Sequence, residues 1–154
     1  MIYFLKTTSI IILAVGLSAS GSYLKTVDDD ADTKDGFSGQ IQPDSTTSPA
    51  VLALIKKARG NAINGEMDIA ISDLERAIRI EPANATVWHY MAKLFLQQEN
   101  YNQAAGYAAK STSLARDHKK LIIDNWRIIA HARYRLGNIK GAKQAQDTIN
   151  KLQQ

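Results

Sequence analysis

Residues 85–118 read ATVWHYMAKLFLQQENYNQAAGYAAKSTSLARDH, and the residues on either side repeat this pattern of large and small side chains. A shift of 34 positions towards the N-terminus aligns Trp88 with Leu54, and a shift of 38 towards the C-terminus aligns it with Trp126. Self-similarity with a period of about 34 residues is typical of proteins that stack copies of one structural unit. The sequence therefore predicts three units, at about 51–84, 85–118 and 123–154, with four extra residues at 119–122.

Each unit divides into two helices at a turn. Gly65, Glu99 and Gly137 mark the three turns, because they interrupt apolar residues that are spaced three and four positions apart. Pro82 ends the second helix of the first unit, since proline lacks an amide donor and clashes with the preceding turn. We therefore predict an all-α fold, an α-solenoid of three helix-turn-helix repeats. Its six helices are expected near residues 50–64, 67–80, 85–98, 101–116, 119–136 and 139–152.

The order of large and small side chains in these units resembles that of the tetratricopeptide repeat, and the match covers about 51–152. The resemblance implies that the following side chains pack successive helices together: Leu54, Ala58, Ala70, Ala77, Pro82, Trp88, Ala92, Tyr101, Ala104, Trp126, Ala130 and Ala142. Two positions depart from the family pattern, since Lys57 stands where a leucine is usual and Arg133 where a tyrosine is usual. Both lie in terminal repeats, which lack a neighbour on one side and so tolerate polar residues.

In tetratricopeptide-repeat proteins the first helix of each unit lines a concave groove that receives a peptide or a partner's surface. The resemblance assigns seven residues to this partner-binding groove: Arg59, His89, Lys93, Arg127, His131, Tyr134 and Arg135. The last four recur at helical spacing and form one stripe along one helix. Four of the seven are positively charged, which favours an acidic segment of another protein as the ligand. The alternative interpretation is a solvated basic face without a ligand.

Charge is unevenly distributed along the chain. Residues 51–154 carry sixteen basic and nine acidic side chains, whereas residues 21–50 carry two basic and six acidic ones. The stretch 23–49 is rich in Asp, Ser, Thr and Gly and poor in apolar residues, so it cannot bury enough surface to offset the entropy of ordering. The sequence therefore predicts a disordered acidic linker at 23–49, followed by a basic repeat domain at 50–154.

An uncharged run of eighteen residues, 7–24, follows Lys6. Its apolar centre is short and small residues follow it, which is typical of a secretory signal peptide. A run of this length can also span a membrane, as an uncleaved inner-membrane anchor. We therefore assign residues 1–22 to a signal peptide or an N-terminal anchor, and both alternatives place the body in the periplasm. An exported protein is a poor candidate for binding nucleic acid, despite its basic body.

The sequence contains no recognisable catalytic constellation. It contains no cysteine, which excludes a disulfide, a thiolate zinc site, a cysteine nucleophile and a lipid-modified cysteine. The three histidines, His89, His118 and His131, lack metal-ligand spacing to a second histidine or a carboxylate, and there is no glycine-rich phosphate loop. We therefore predict no catalytic residue, no metal and no cofactor, and a non-enzymatic role in protein–protein interaction.

A more specific resemblance rests on the export segment, the linker and three stretches of the body. These stretches are LERAIRIEP (74–82), KSTSLA (110–115) and NWRIIAHAR (125–133). Together they resemble the lipoprotein activators of class A penicillin-binding proteins, the bifunctional peptidoglycan synthases. The resemblance implies a periplasmic regulator of such an enzyme, although the absence of a cysteine departs from the lipoprotein pattern. The alternative is a generic repeat scaffold for an envelope complex in secretion or pilus biogenesis.

Overall fold

A computed structural model describes residues 41–154, which form six α-helices and contain no β-strand. The helices are α1 Pro49–Ile63, α2 Met67–Ile80, α3 Ala85–Gln97, α4 Tyr101–Leu114, α5 Lys119–Arg135 and α6 Ile139–Gln153. Each begins and ends within two residues of its predicted bounds, and the prediction of an all-α repeat fold is confirmed. The predicted signal peptide or anchor at 1–22, and the predicted linker before residue 41, lie outside the described residues.

The helices pair into three hairpins that stack in chain order, α1 with α2, α3 with α4 and α5 with α6. α3 contacts both α1 and α5, so the first helices of the three hairpins lie side by side and form one layer. This layer contains the predicted groove residues. Within residues 41–154, no helix is both long enough and apolar enough to cross a membrane.

Each hairpin turn contains one residue with a left-handed backbone at the same position of the repeat. The φ angle is 81° at Gly65, 57° at Glu99 and 76° at Gly137. Glycine adopts a positive φ readily because it has no Cβ, whereas a glutamate in this conformation is strained. The common geometry explains why two of the three turns contain glycine.

The alanines at the predicted packing positions lie between the helices. All seven are buried: Ala58, Ala70, Ala77, Ala92, Ala104, Ala130 and Ala142. A methyl group lets two helix backbones approach closely, and larger side chains fill the space beside it. Trp88 is only partly buried; its indole stacks on Tyr107 of α4, with ring centroids 5.9 Å apart, and donates a hydrogen bond to the Pro82 carbonyl at 2.8 Å. Leu54, Tyr101 and Trp126 are also partly buried, and Pro82 is exposed.

The four extra residues before the third repeat form an additional first turn of α5. This helix has 17 residues whereas α3 has 13, and Trp88 and Trp126 lie equally far from the last residue of their helices. The insertion therefore extends the N-terminal end of α5, which begins at Lys119. Leu121 on this added turn is buried.

Residues 41–48, which we call the N-terminal strap, pack against the body. Ile41 is 2% exposed and lies among Ala85 of α3, Ala115, and Leu121 and Ile122 on the added turn of α5. At the other end of the strap, the Thr47 hydroxyl accepts a hydrogen bond from the side-chain amide of Asn84 at 2.9 Å, and Ser48 caps α1. The strap therefore runs from the start of α5, past the start of α3, to the start of α1.

The sequence predicted a disordered linker up to residue 49, whereas residues 41–48 pack against the body. Local composition favoured disorder because Ile41 is one apolar side chain among polar ones. Its partners come from α3 and α5, about 45 to 80 positions further along the chain, and burial of an aliphatic side chain against them contributes about 1.5–3 kcal/mol. The added turn of α5 supplies much of this pocket.

Candidate protein-binding face

A contact between the predicted groove residue Arg59 and Tyr90 joins α1 to α3 at one end of the face. The Arg59 guanidinium of α1 lies over the Tyr90 ring of α3, 5.6 Å from its centroid. Tyr90 is 1% exposed, and its hydroxyl donates to the Ile41 carbonyl of the strap at 3.4 Å. Burial raises the pKa of the Tyr90 hydroxyl, although the nearby Arg59 charge opposes this shift. Arg59 is therefore held in place beside the strap by an aromatic ring.

A cleft of about 280 Å³ opens between the strap and α1. Its lining residues are Ile41, Gln42, Pro43, Leu52, Ile55, Lys56, Arg59 and Tyr90. The walls combine aliphatic and aromatic surface with two positive charges, of which Lys56 is exposed and Arg59 is half-buried. Sequence analysis did not predict this cleft, because one of its walls is the strap.

In the middle of the face, an acidic residue lies among the predicted cations. The Arg127 guanidinium donates to the Asp124 carboxylate at 2.9 Å, one turn away on α5. Burial raises the pKa of the Asp124 carboxyl, and the charges of Arg127 and of Lys93 on α3 oppose this shift. Asp124 therefore neutralises part of the positive charge and links α3 to α5 electrostatically.

At the far end of the face, Arg135 lies over Tyr101. Its guanidinium is 4.7 Å from the centroid of the ring and 3.7 Å from the Glu99 carboxylate. The His131 ring lies 6.2 Å from the Tyr101 ring, centroid to centroid, and Tyr134 is half-buried on the same helix. The side chains of Arg135 and Glu99 are 43% and 71% exposed, so solvent screens their ion pair and it contributes about 0–1 kcal/mol.

The four predicted cations therefore lie on the layer that the three first helices form. We call Arg59, Lys93, Arg127 and Arg135 the basic face. Arg59 lies over Tyr90, Lys93 and Arg127 interact with Asp124, and Arg135 lies over Tyr101 at the end of α5. The residues are half-buried or exposed, which leaves positive charge accessible to a partner.

His89 does not lie on the accessible surface, contrary to the expectation from sequence. It is 1% exposed, and its Nδ1 lies 2.8 Å from Asn125 Oδ1 on α5. Asn125 in turn donates from Nδ2 to the Ser111 hydroxyl at 2.7 Å, and Ser111 donates to the Ala85 carbonyl at 2.8 Å. Asn125 Oδ1 is thus an acceptor, so His89 Nδ1 carries the proton. Burial lowers the pKa of His89 to about 4, and the ring is therefore neutral at pH 7.

Asp73 is a buried acidic residue that sequence analysis did not identify. It is 3% exposed on α2 and accepts hydrogen bonds from Lys57 Nζ at 3.1 Å and from Asn61 Nδ2 at 3.0 Å, both on α1. A buried carboxylate is costly unless it is paired and hydrogen-bonded. This pairing explains the lysine at position 57, where the repeat pattern has leucine.

The second departure from the repeat pattern has a similar explanation. Arg133 of α5 donates from its guanidinium to the Gly141 carbonyl of α6 at 3.1 Å. Asn138 is the N-cap residue of α6, and its Oδ1 accepts a hydrogen bond from the Gly141 backbone amide at 2.8 Å. Arg133 therefore joins the two helices of the third hairpin where an aromatic residue is usual.

Residues 41–154 contain no group of three or more His, Asp or Glu side chains placed to hold one metal ion. The polar clusters described above are ion pairs and hydrogen-bonded networks that connect helices. What the face offers chemically is an array of cations and a cleft whose walls are part aliphatic and part charged, which suits a protein or peptide ligand.

No protein-family model matches the chain, and no curated protein sequence matches it. Among solved structures, the chain is similar to the globular C-terminal domain of LpoP from P. aeruginosa, with a TM-score of 0.64 and 31% sequence identity. The match covers 67% of this chain and 97% of the solved domain. Nearly the whole of that domain therefore has a counterpart here.

Proposed function

Because the chain belongs to the LpoP family, we propose that it is a non-enzymatic protein that binds and activates a class A penicillin-binding protein. LpoP is an activator lipoprotein of a penicillin-binding protein. The observation that carries the proposal is the similarity over nearly all of the LpoP domain. The sequence identity of 31% indicates a shared family as well as a shared fold. The basic face supplies a surface through which such binding can occur.

The proposed mechanism is recognition of an acidic segment of the synthase by the basic face. Arg127 and Arg135 present planar guanidinium groups, which can bind a carboxylate through two parallel hydrogen bonds. Both keep nearly half of their side-chain surface exposed. A surface with a net positive charge also attracts a negatively charged partner over distances of about 10 Å at moderate salt. We therefore expect these charges to affect the association rate and its dependence on salt.

The buried network behind the face keeps it rigid. His89, Asn125 and Ser111 connect α3, α4 and α5 through hydrogen bonds that need no rearrangement when a partner arrives. Preorganised surfaces lose less conformational entropy on binding. The proposal thus separates two roles: buried residues that fix helix positions and exposed cations that contact the partner.

The proposal includes a periplasmic location for the repeat domain. It rests on the apolar run 7–24, which small residues follow, and on the class of partner. The 154 residues contain no cysteine, so they offer no site for the lipid that lipoproteins carry. We propose that residues 7–24 either export the domain to the periplasm as a cleaved signal or anchor it to the inner membrane.

Binding to the purified class A penicillin-binding protein of the same organism tests the proposal. We expect the wild-type chain to bind and to raise glycan polymerisation, and the double variant Arg127→Glu/Arg135→Glu to bind at least tenfold more weakly. The control variant Lys140→Glu/Lys151→Glu makes the same change in net charge on exposed residues of α6. It should retain wild-type affinity. Circular dichroism should show helical spectra for all three proteins.

Two outcomes contradict the proposal. If the wild-type chain neither binds nor activates the synthase, the proposed partner is wrong. If it binds and both double variants lose affinity equally, net charge rather than the basic face determines the interaction.

A further inference from the structure

The cleft between the strap and α1 lies beside the basic face and is smaller than most sites for small molecules. Its volume is about 280 Å³, whereas sites for drug-sized ligands measure about 300–1,000 Å³. A space of this size suits one or two side chains of a bound peptide. Leu52, which lines the cleft, is 40% exposed.

The cleft has two chemically different parts. Leu52 and Ile55 of α1, together with Pro43 of the strap, form aliphatic walls. Lys56 and Arg59, one turn of α1 apart on the same side, contribute positive charge. An aliphatic side chain can bury itself on the walls while a neighbouring carboxylate meets the cations.

We infer that this cleft binds an aliphatic side chain of an acidic partner segment, and that the N-terminal strap forms one wall of the site. The inference rests on the proposed function, because it names a second contact for the same partner. It follows from the complementarity between an acidic segment and the pair Lys56 and Arg59, and from the exposed apolar surface of Leu52. The strap is therefore part of the proposed binding surface and not only a tether.

The strap acts as a wall because it is anchored at both ends. Ile41 is buried against the added turn of α5, and Ser48 donates its amide to the Glu81 carboxylate at 2.8 Å while its hydroxyl caps α1. Between these anchors, Gln42 is exposed and Pro43 is half-buried at the edge of the cleft. The strap therefore borders the cleft and leaves its volume open.

A peptide titration tests the inference independently of the synthase. The probe is the hexapeptide acetyl-Asp-Glu-Asp-Leu-Asp-Glu-amide, added to the full chain labelled with ¹³C at its Leu and Ile methyl groups. We expect the methyl resonances of Leu52 and Ile55 to shift. Replacing the central leucine of the peptide by alanine should weaken binding about tenfold or more, because several buried carbons are lost.

Three variants of the chain complete the experiment. Leu52→Ser and Lys56→Glu alter exposed residues and should each weaken peptide binding severalfold, while Lys140→Glu on α6 serves as the charge control and should not. Ile41→Ser releases the strap and should also weaken binding, because one wall is lost. Equal affinity of the leucine and alanine peptides, or unchanged Leu52 and Ile55 resonances, would overturn the inference.

Two other occupants of the cleft give distinct results, and each would overturn the inference. If Ile41→Ser tightens peptide binding, the strap competes for the cleft instead of forming its wall. If replacing Asp28, Asp29 and Asp30 by Asn tightens binding, the acidic stretch of this chain is the natural occupant.

The two proposals fail in different ways. If the peptide binds as expected but the synthase does not bind, the proposed function fails and the cleft remains a peptide site. If the synthase binds, loses affinity with Arg127→Glu/Arg135→Glu and is unaffected by Leu52→Ser, the proposed function stands and the cleft plays no part in it.

Discussion

His89 Nδ1 donates a hydrogen bond to Asn125 Oδ1 across the interface between α3 and α5, at 2.8 Å. The bond joins the second repeat to the third, and Asn125 extends it to Ser111 on α4. A buried polar group without a partner costs about 1–3 kcal/mol, so this network favours one alignment of the two repeats over slipped alternatives. The position that sequence analysis assigned to ligand binding thus fixes the geometry of the face instead.

The first prediction concerns the pH dependence of stability. Unfolded His89 takes up a proton near its usual pKa of 6.5, whereas in the folded protein the pKa is about 4 because the ring is buried. Between these values the unfolded state binds more protons, so the free energy of unfolding falls as the pH decreases through this window. The full contribution of neutral His89 is present only above the unfolded pKa of 6.5. We expect His89 to account for a loss of about 2 kcal/mol in the free energy of unfolding between about pH 7.5 and pH 5.

Urea denaturation at a series of pH values measures this effect. His89→Gln should lower stability at neutral pH and remove most of the difference between pH 7.5 and 5. A second variant, His118→Asn, keeps a side chain able to cap α5, as His118 does through the Leu121 amide, and removes one charge that lowers the pKa of His89. A pH profile that is the same in wild type and His89→Gln would show that another group titrates.

The second prediction applies one chemical change at two glycines and expects opposite signs. Gly137→Ala should lower stability by about 1 kcal/mol, because alanine is strained at a φ of 76°. Gly60→Ala, in the last turn of α1, should raise stability by about 0.5–1 kcal/mol, because alanine favours the helix. An added Cβ would have no atom within 4 Å at either position, so packing does not explain the difference.

Thermal and urea denaturation of both variants check this prediction. If Gly137→Ala were as stable as wild type, its backbone would not be left-handed, and the common geometry of the three turns would be wrong. Gly106→Ala on α4 provides a second helical control, since a Cβ there also meets no atom within 4 Å.

The third prediction concerns the departure from the repeat pattern at position 57. Lys57→Leu restores the usual residue of the family but removes a hydrogen-bond donor from the buried Asp73 carboxylate. We expect a loss of about 1–3 kcal/mol in stability rather than a gain. The double variant Lys57→Leu/Asp73→Leu should recover much of that loss, since replacing both members of a buried pair by apolar residues is often neutral.

A double-mutant cycle measured by urea denaturation provides the coupling energy of this pair. Additive losses in the two single variants would mean that Asn61 and Arg76, which also contact Asp73, suffice to hold the carboxylate. Lys56→Leu is the matched control, because Lys56 is the exposed neighbour on the same helix and has no contact with Asp73 among its described interactions.

Helices and turns were predictable because their signals are local. Alanines at fixed spacing, Gly65 and Gly137 at the turns, and Pro82 after α2 act within a few residues of the feature they specify. The burial of His89 was not predictable in this way, because it depends on Asn125, 36 positions away. Its position in the repeat assigned His89 to the same groove as Lys93 and Arg127, whose side chains do reach the surface.

The packing of the strap against the body was not predicted, for a related reason. Around Ile41 the composition is polar, and its partners Ala115 and Leu121 lie far along the chain. The four residues 119–122 were recognised as an insertion between repeats, but their length alone did not reveal what they contact. An insertion that adds an apolar helical turn beside an unpaired surface is a signal that could have pointed to a docked segment.

The last prediction tests whether Ile41 and Leu121 stabilise each other. Truncating either to alanine removes aliphatic surface from a shared pocket, and each change should cost about 2–4 kcal/mol if the strap is docked. Because the two side chains share that pocket, the double variant should cost less than the sum, with a coupling of about 0.5–3 kcal/mol. Urea denaturation of the four proteins measures this coupling, and Gln42→Ala, next to Ile41 but exposed, should leave stability unchanged within about 0.5 kcal/mol. If Ile41→Ala were as mild as Gln42→Ala, the strap would not be docked, and the wall of the proposed peptide cleft would be lost with it.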